Sequence, residues 1–459
     1  MFRIDSGSTG RYCDGMSRRS FVQLGMAGMA TIGLSGILQA KQESASRGGS
    51  PQERSAILIW LDGGPGHMDT YDMKPAAPAE YRGIWRPIRT NVPGIEISEL
   101  FPKQAQIADK FSIVRSLHHD TGDHFAAGHR MLTTKDMGVS GANTAGRFPS
   151  IGAIVAHQRQ HRASVLPHYI SVPVASSIGL RPGYFAGSLL GAHFDPFETE
   201  GDPNSATFKV QNLQFATGMT VKRLEDRESL RAALDQIPRA LDAGDFDSLN
   251  RFDQQAFNFV AGEQGRQAFD ISREDDRLRD QYGRNTWGQS TLLARRLVEA
   301  GASFVTVHLG GWDHHWNLKA GMEDYLPRVD SAVAALFADL DQRRLLDSTL
   351  VILCGEFSRT PRMNDGGNGG PPLSQGTPGR DHWGNAMFCL LGGGGIRGGQ
   401  IVGATNSRGE EPIERPVRPD NLHATLYRCL GIDLKLHIRD RAGRPTPVLE
   451  DPSPIQELL

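Results

Sequence analysis

The chain has 459 residues, 39% hydrophobic and 22% charged, a composition that excludes a disordered protein. Lysine and arginine number 50 against 52 aspartates and glutamates, so no surplus of positive charge is available for a nucleic-acid backbone. Glycine is abundant at 53 residues, without the G-X-Y period of collagen, and the 15 histidines matter for where they sit.

The chain opens on what reads as an address. Arg18-Arg19 is followed by a Gly- and Ala-rich apolar stretch, Leu24 to Leu38, and then Gln39-Ala40. This pattern predicts a twin-arginine export signal over residues 1–40 and a periplasmic or extracellular destination. The stretch falls short of the ~20 apolar residues a helical span needs, so no transmembrane span is expected in the mature chain. Residues 41–54 are polar and read as a flexible leader, with 55–459 as one domain. Cys354, Cys389 and Cys429 each lie in an apolar run and read as buried thiols, without zinc-site spacing.

Ala56–Leu61 is a continuous apolar run, the signature of a strand buried on both faces of a sheet. Similar runs recur at Phe111–Leu117, His168–Val172, Ser303–Leu309, Thr349–Cys354 and Ala386–Leu391. Helical patterns at Thr286–Ala300 and Tyr325–Leu345 separate the later runs, which indicates βαβ units. Residues 220–282 are charged and helix-prone and read as a helical insertion. The expected architecture is α/β, a helix-flanked and mainly parallel central sheet.

In open α/β sheets, ligands bind beyond the carboxyl ends of the strands. Asp62, His67, Asp69 and Asp72 follow the first run. His118, His119, Asp120, Thr121, Asp123, His124 and His129 follow the second. Trp312, Asp313, His314 and His315 come after Ser303–Leu309, Glu356 after Thr349–Cys354, and Asp381-His382 closes a glycine-rich loop. Singly, such a carboxylate reads as a helix cap, such a histidine as a solvated side chain and Trp312 as packing. Jointly, they place in one layer the ligand types that hold Zn, Mn, Fe or similar ions. Arg359 beside Glu356 reads either as a structural ion pair or as a clamp on an anionic substrate group, since a planar guanidinium fits phosphate or sulfate.

The order Leu61-Asp62-Gly63-Gly64-Pro65-Gly66-His67, Gly310-Gly311-Trp312-Asp313-His314-His315, Gly355-Glu356-Phe357-Ser358-Arg359 and Gly379-Arg380-Asp381-His382-Trp383 resembles the DUF1501 family, as does the ending Gly443-Arg444-Pro445 with Pro454-Ile455-Gln456-Glu457-Leu458. That family is placed in the alkaline phosphatase and sulfatase superfamily. The resemblance implies a paired-metal site in which Asp62, Asp313, His315, Glu356 and His382 are ligands to divalent ions (Zn, Mn, Ca or Mg). Three departures stand out. Phe357 occupies the place of a second histidine. Asp313 and His315 are two residues apart where four are usual. No cysteine has the context matured to formylglycine. The alignment places His124 at the nucleophile's position, as ligand or general acid. Thr121 is either the attacking hydroxyl or the cap of the following helix.

Two functions follow. The first is an exported metal-dependent hydrolase of phosphate or sulfate esters, without formylglycine, acting on an anionic ester such as a sulfated or phosphorylated glycan; His124 or His129 would protonate the leaving group. The alternative is a non-catalytic exported binding protein that keeps the fold with a degenerate metal site. A nucleotide-binding enzyme is disfavoured, because no phosphate-binding glycine motif follows a strand.

Overall fold

The computed structural model describes residues 53–137, 148–210, 259, 262–367, 375–440 and 442–459. The export signal, nearly all of the leader, and residues 220–258 of the proposed insertion lie outside the described residues.

Eight strands form the central sheet: β1 (Ser55–Asp62), β2 (Phe111–Leu117), β3 (Tyr169–Val172), β4 (Phe197–Glu198), β5 (Phe304–Gly310), β6 (Thr349–Cys354), β7 (Met387–Gly392) and β8 (Ile401–Val402). Their spatial order is β8-β2-β7-β6-β1-β5-β3-β4. β1 pairs in parallel with β5 and β6, and only β7 runs against its neighbours, β2 and β6. The sheet is α/β and mainly parallel, as the six apolar runs predict. Sequence reading misses β4 and β8, because two residues at a sheet edge carry no hydrophobic period.

Every residue of β1 is buried. Ile57, Ile59 and Leu61 face one core, and Ala56, Leu58 and Trp60 face the other. This alternation explains the unbroken apolar run, since both faces of the strand are covered. Helices α5 (Thr286–Glu299) and α6 (Leu318–Gln342) cover the first face through residues such as Leu293, Leu297, Val333 and Phe337. Helices α1 (His124–Thr133), α2 (Ile151–Arg159) and α7 (Pro419–Leu430) cover the second through Met131, Ile154 and Leu426. Two short helices, α3 (Glu263–Phe269) and α4 (Asp276–Tyr282), fall within the segment read as an insertion.

Local chemistry sets the helix starts. Asp123 caps α1, accepting from Phe125 N (3.1 Å) and Ala126 N (2.9 Å), so the cap is Asp123 and not Thr121. Helix α6 begins seven residues before the predicted Tyr325, directly after Asn317 in the left-handed conformation, and carries Pro327 inside it. That proline masks the helical pattern of its first two turns.

Seven strands deliver their carboxyl ends, and antiparallel β7 its amino end, to one edge of the sheet. The turns after β1, β2, β5 and β6 and the segment before β7 therefore meet there.

Candidate metal centre

Asp313, three residues past β5, is the hub. Its Oδ1 lies 3.0 Å from His315 Nε2, 3.1 Å from His382 Nε2 and 2.6 Å from Arg359 Nη2, and its Oδ2 lies 3.4 Å from His124 Nε2. Each imidazole is oriented through its other nitrogen. His124 Nδ1 donates to Glu356 Oε1 (2.7 Å), His315 Nδ1 to Asp381 Oδ1 (2.7 Å) and His382 Nδ1 to the Gly122 carbonyl (2.7 Å). A carbonyl and ionised carboxylates only accept, so these contacts put a proton on Nδ1 and aim Nε2 at Asp313, to which it donates when the ring is protonated and from which it can turn its lone pair to a cation when it is not.

Three Nε2 atoms thus converge on a carboxylate. His315 Nε2 and His382 Nε2 stand 3.0 Å apart, a separation that requires a proton or a cation between them. Zinc–nitrogen bonds of about 2.0–2.1 Å in a tetrahedron place neighbouring donors roughly 3.3 Å apart. Carboxylate or carbonyl acceptors behind metal-ligating histidines are the usual supporting arrangement. Among the described residues, His124, Asp313 and His382 bring their donor atoms within 4.8 Å of one another, and His315 Nε2 lies 3.0 Å from both Asp313 Oδ1 and His382 Nε2. The residues present fit a divalent ion.

The cluster acts unevenly on its imidazoles: burial, helped by the Arg359 and His124 charges, lowers the His382 pKa despite its bond to Asp313. Burial alone would lower the His124 pKa, but the Asp313 and Glu356 carboxylates outweigh it and raise it to about 9. His315 is raised, first by its hydrogen bond to Asp313 and also by Asp381, against the effect of burial. Burial pushes the Asp313 carboxyl up, yet the three histidines and Arg359 hold it well below the ordinary carboxylate range. The cluster is closed on one side and open on the other: the Glu356 side chain is 0% exposed and that of Asp313 35%.

Other predicted residues lie close by in different arrangements. Asp62 ends β1 with Oδ2 bonded to Ile178 N (2.8 Å) and 3.3 Å from His308 Nε2. Glu356 Oε1 also accepts from Gly63 N (2.8 Å). Neither Asp62 nor Glu356 belongs to the converging group. Arg359, read as an ion pair or a substrate clamp, is 1% exposed. It donates to Gly64 O (2.8 Å), Gly63 O, Arg380 O (3.3 Å) and Asp313, so its charge braces the turn after β1 and the hub carboxylate. The Thr121 hydroxyl accepts from Asp123 N at 3.4 Å, one residue from the carbonyl that holds His382.

His129 Nδ1 meets Lys135 O (2.8 Å) at the far end of α1, and His67 is buried between Ser358 Oγ (2.6 Å) and Gly409 O (2.7 Å). Asp69 forms a fully buried two-point pair with Arg380 (2.8 and 3.1 Å), directly before Asp381. Trp312 is packing, stacked on Trp287 at 5.4 Å. Sequence reading counted Asp381 among the candidate ligands without placing it behind His315, and gave no role to Gly122, which acts through its carbonyl. The adjacency of Asp381 to His382 was the available signal for the first. A backbone acceptor leaves none.

A family model described as a protein of unknown function, DUF1501, matches residues 53–459. The chain belongs to this family. No curated protein matches it. Among solved structures, this DUF1501 chain is similar to a sulfatase from Pseudoalteromonas sp., with 14% identity, 87% of this chain and 71% of that one covered, and a TM-score of 0.38. It is also similar to a protein in the alkaline phosphatase superfamily from Vibrio parahaemolyticus (10% identity, 83% and 67% covered, TM-score 0.37). A phosphonate monoester hydrolase from Silicibacter pomeroyi is a third such structure (11%, 82% and 72%, 0.35). Likeness at this level concerns general architecture and says nothing of activity.

Proposed function

We propose that this chain is a metal-dependent hydrolase of phosphate or sulfate esters. The observation that carries the reading is the convergence of three oriented Nε2 atoms on Asp313. His124, Asp313, His315 and His382 would hold the ion. Imidazole donors favour zinc over manganese, calcium or magnesium, which prefer oxygen ligands. When bound, the ion supplies Lewis acidity and positive charge for an anionic ester.

The chain's own groups do the positioning. Glu356, Asp381 and the Gly122 carbonyl fix the three imidazoles, and Arg359 holds Asp313. The half-exposed edge at Asp313, His315 and His382 is where an ester enters. An open cavity of about 570 Å³, lined by Tyr81, Asn364, Trp383 and Glu410, borders this edge through Asp381 and leaves room for a substrate's alcohol portion. A sulfated or phosphorylated glycan fits such a polar, partly aromatic wall.

Export by the twin-arginine route belongs to the same proposal. Among the described residues no helix is long and apolar enough to cross a membrane. Fusing residues 1–40 to a reporter exported only by that pathway tests the address.

Elemental analysis of the purified protein, combined with an aryl-phosphate and aryl-sulfate screen, tests the activity. Bound metal with turnover of either ester is expected. Metal without turnover favours the binding-protein reading, and absence of both overturns the proposal.

A further inference from the structure

Resting on the metal-centre reading, we infer that the centre takes one ion per chain and that Phe357 keeps a second one out. The Phe357 ring stacks on His382 (centroids 4.5 Å apart, planes at 29°) and lies 4.8 Å from the His124 ring. On its other side is the turn after β1. A Cβ at Gly64, whose φ is +70°, would stand 2.7 Å from a Phe357 ring carbon. The Arg359 guanidinium sits 5.5 Å from the same ring centroid. The ring is therefore wedged between the Gly63-Gly64 turn and two of the imidazoles, offering carbon where an ion would need a donor.

What remains for a second ion is Asp62 and Glu356, each half used, with His308 Nε2 3.3 Å from Asp62 Oδ2. Asp62 Oδ2 is engaged by Ile178 N and His308, and Glu356 Oε1 by Gly63 N and His124 Nδ1. Asp62 Oδ1 and Glu356 Oε2 are buried without a hydrogen-bond partner. Two oxygens, even with His308 Nε2 added, fall short of the six to eight ligands of calcium, the octahedron of magnesium or the four of zinc. His124 cannot complete that set, because its Nδ1 proton is committed to Glu356 and its Nε2 faces Asp313. A converging set of at least three donors is found at one place among the described residues, and it contains neither Asp62 nor Glu356.

The test counts ions. The full chain is loaded with excess Zn(II), dialysed and analysed for metal. One zinc per chain is expected, lost in His382→Ala and retained in Asp62→Asn, with circular dichroism and melting checking each variant's fold. Cobalt titration of the unmodified chain gives a count that needs no variant: its visible absorption should saturate at one equivalent. Two ions per chain by either measurement overturn the inference and leave the hydrolase reading standing. So does a single ion that survives in His382→Ala and is lost in Asp62→Asn. No ion in the unmodified chain refutes the metal centre itself.

Discussion

Replacing Arg380 with methionine separates structural from metal-binding energetics. The Arg380 and Asp69 side chains are both 0% exposed and meet through Nε–Oδ2 (2.8 Å) and Nη2–Oδ1 (3.1 Å). The remaining Arg380 donors reach the carbonyls of Thr360 (2.9 Å), Pro361 and Tyr81 (3.1 Å). Arg380→Met therefore leaves a buried carboxylate without a countercharge, a change that costs about 3–5 kcal/mol. The contrast is Arg328 with Asp324, an i,i+4 pair on the surface of α6 with side chains 41% and 51% exposed. There the same substitution should cost about 0.5 kcal/mol or less, because solvent screens the pair. Urea unfolding followed by tryptophan fluorescence reads both. The double variant Asp69→Leu/Arg380→Met should be less destabilised than Arg380→Met, since two apolar groups leave no buried charge. A loss below about 0.5 kcal/mol in Arg380→Met, or no recovery in the double variant, would refute the reasoning.

Four further outcomes are expected. Asp381→Asn, which weakens the acceptor behind His315, should lower zinc affinity about 10- to 100-fold in a chelator competition. Thr121→Ala should keep its metal and lose less than about tenfold in ester hydrolysis, because the hydroxyl serves the backbone before α1; a loss of several orders of magnitude would make Thr121 the nucleophile. Gly64→Ala should destabilise the fold by more than ~1 kcal/mol and shift the Phe357 ring, read as a lower urea midpoint and altered near-ultraviolet dichroism.

The fourth concerns acid. Burial lowers the His168 and His423 pKa values to about 4, and His423 donates from Nε2 to Met131 O (2.7 Å). Above pH 6.5 both are neutral, folded or unfolded, and their stabilising contribution is complete. As pH falls from 6.5 toward 4, the unfolded chain takes up protons that the fold refuses. Stability should then drop by up to ~1.4 kcal/mol per histidine per pH unit. Urea midpoints between pH 7 and 4.5 check this. His423→Gln should show a shallower fall, and an unchanged slope would exclude the His423 contribution.

Much of the fold was legible because β1, β2, β3, β5, β6 and β7 are largely buried on both faces and leave mostly apolar runs. The edge strands left no run, and Pro327 hid the start of α6. For the site, the rule that ligands gather beyond strand ends put Asp313, His315 and His382 in one place, where the structure also finds them. It could not rank Asp62 and Glu356 against His124, because that order depends on which oxygens are already taken by Ile178 N, Gly63 N and His124 Nδ1. Nor could it show that Arg359 faces inward. An arginine beside a carboxylate looks alike in sequence whether its donors meet a ligand or the carbonyls of Gly63 and Gly64.

The loop between β6 and β7 is tied twice at its base. Ser358–Arg359 pairs with His382–Trp383, and beyond that Asn364 and Gly379 exchange backbone hydrogen bonds (2.9 and 3.3 Å). Further out, Gly376 N donates to Asp365 O (2.7 Å), and Thr377 and Pro378 accept from Asn317 N and Leu318 N; chain added between Asp365 and Gly376 lies outside these ties, and lengthening a closed loop costs little, about 0.6 kcal/mol per doubling. That shorter interval is thus a port for insertions: recognition sequences can be spliced there without re-aiming His382.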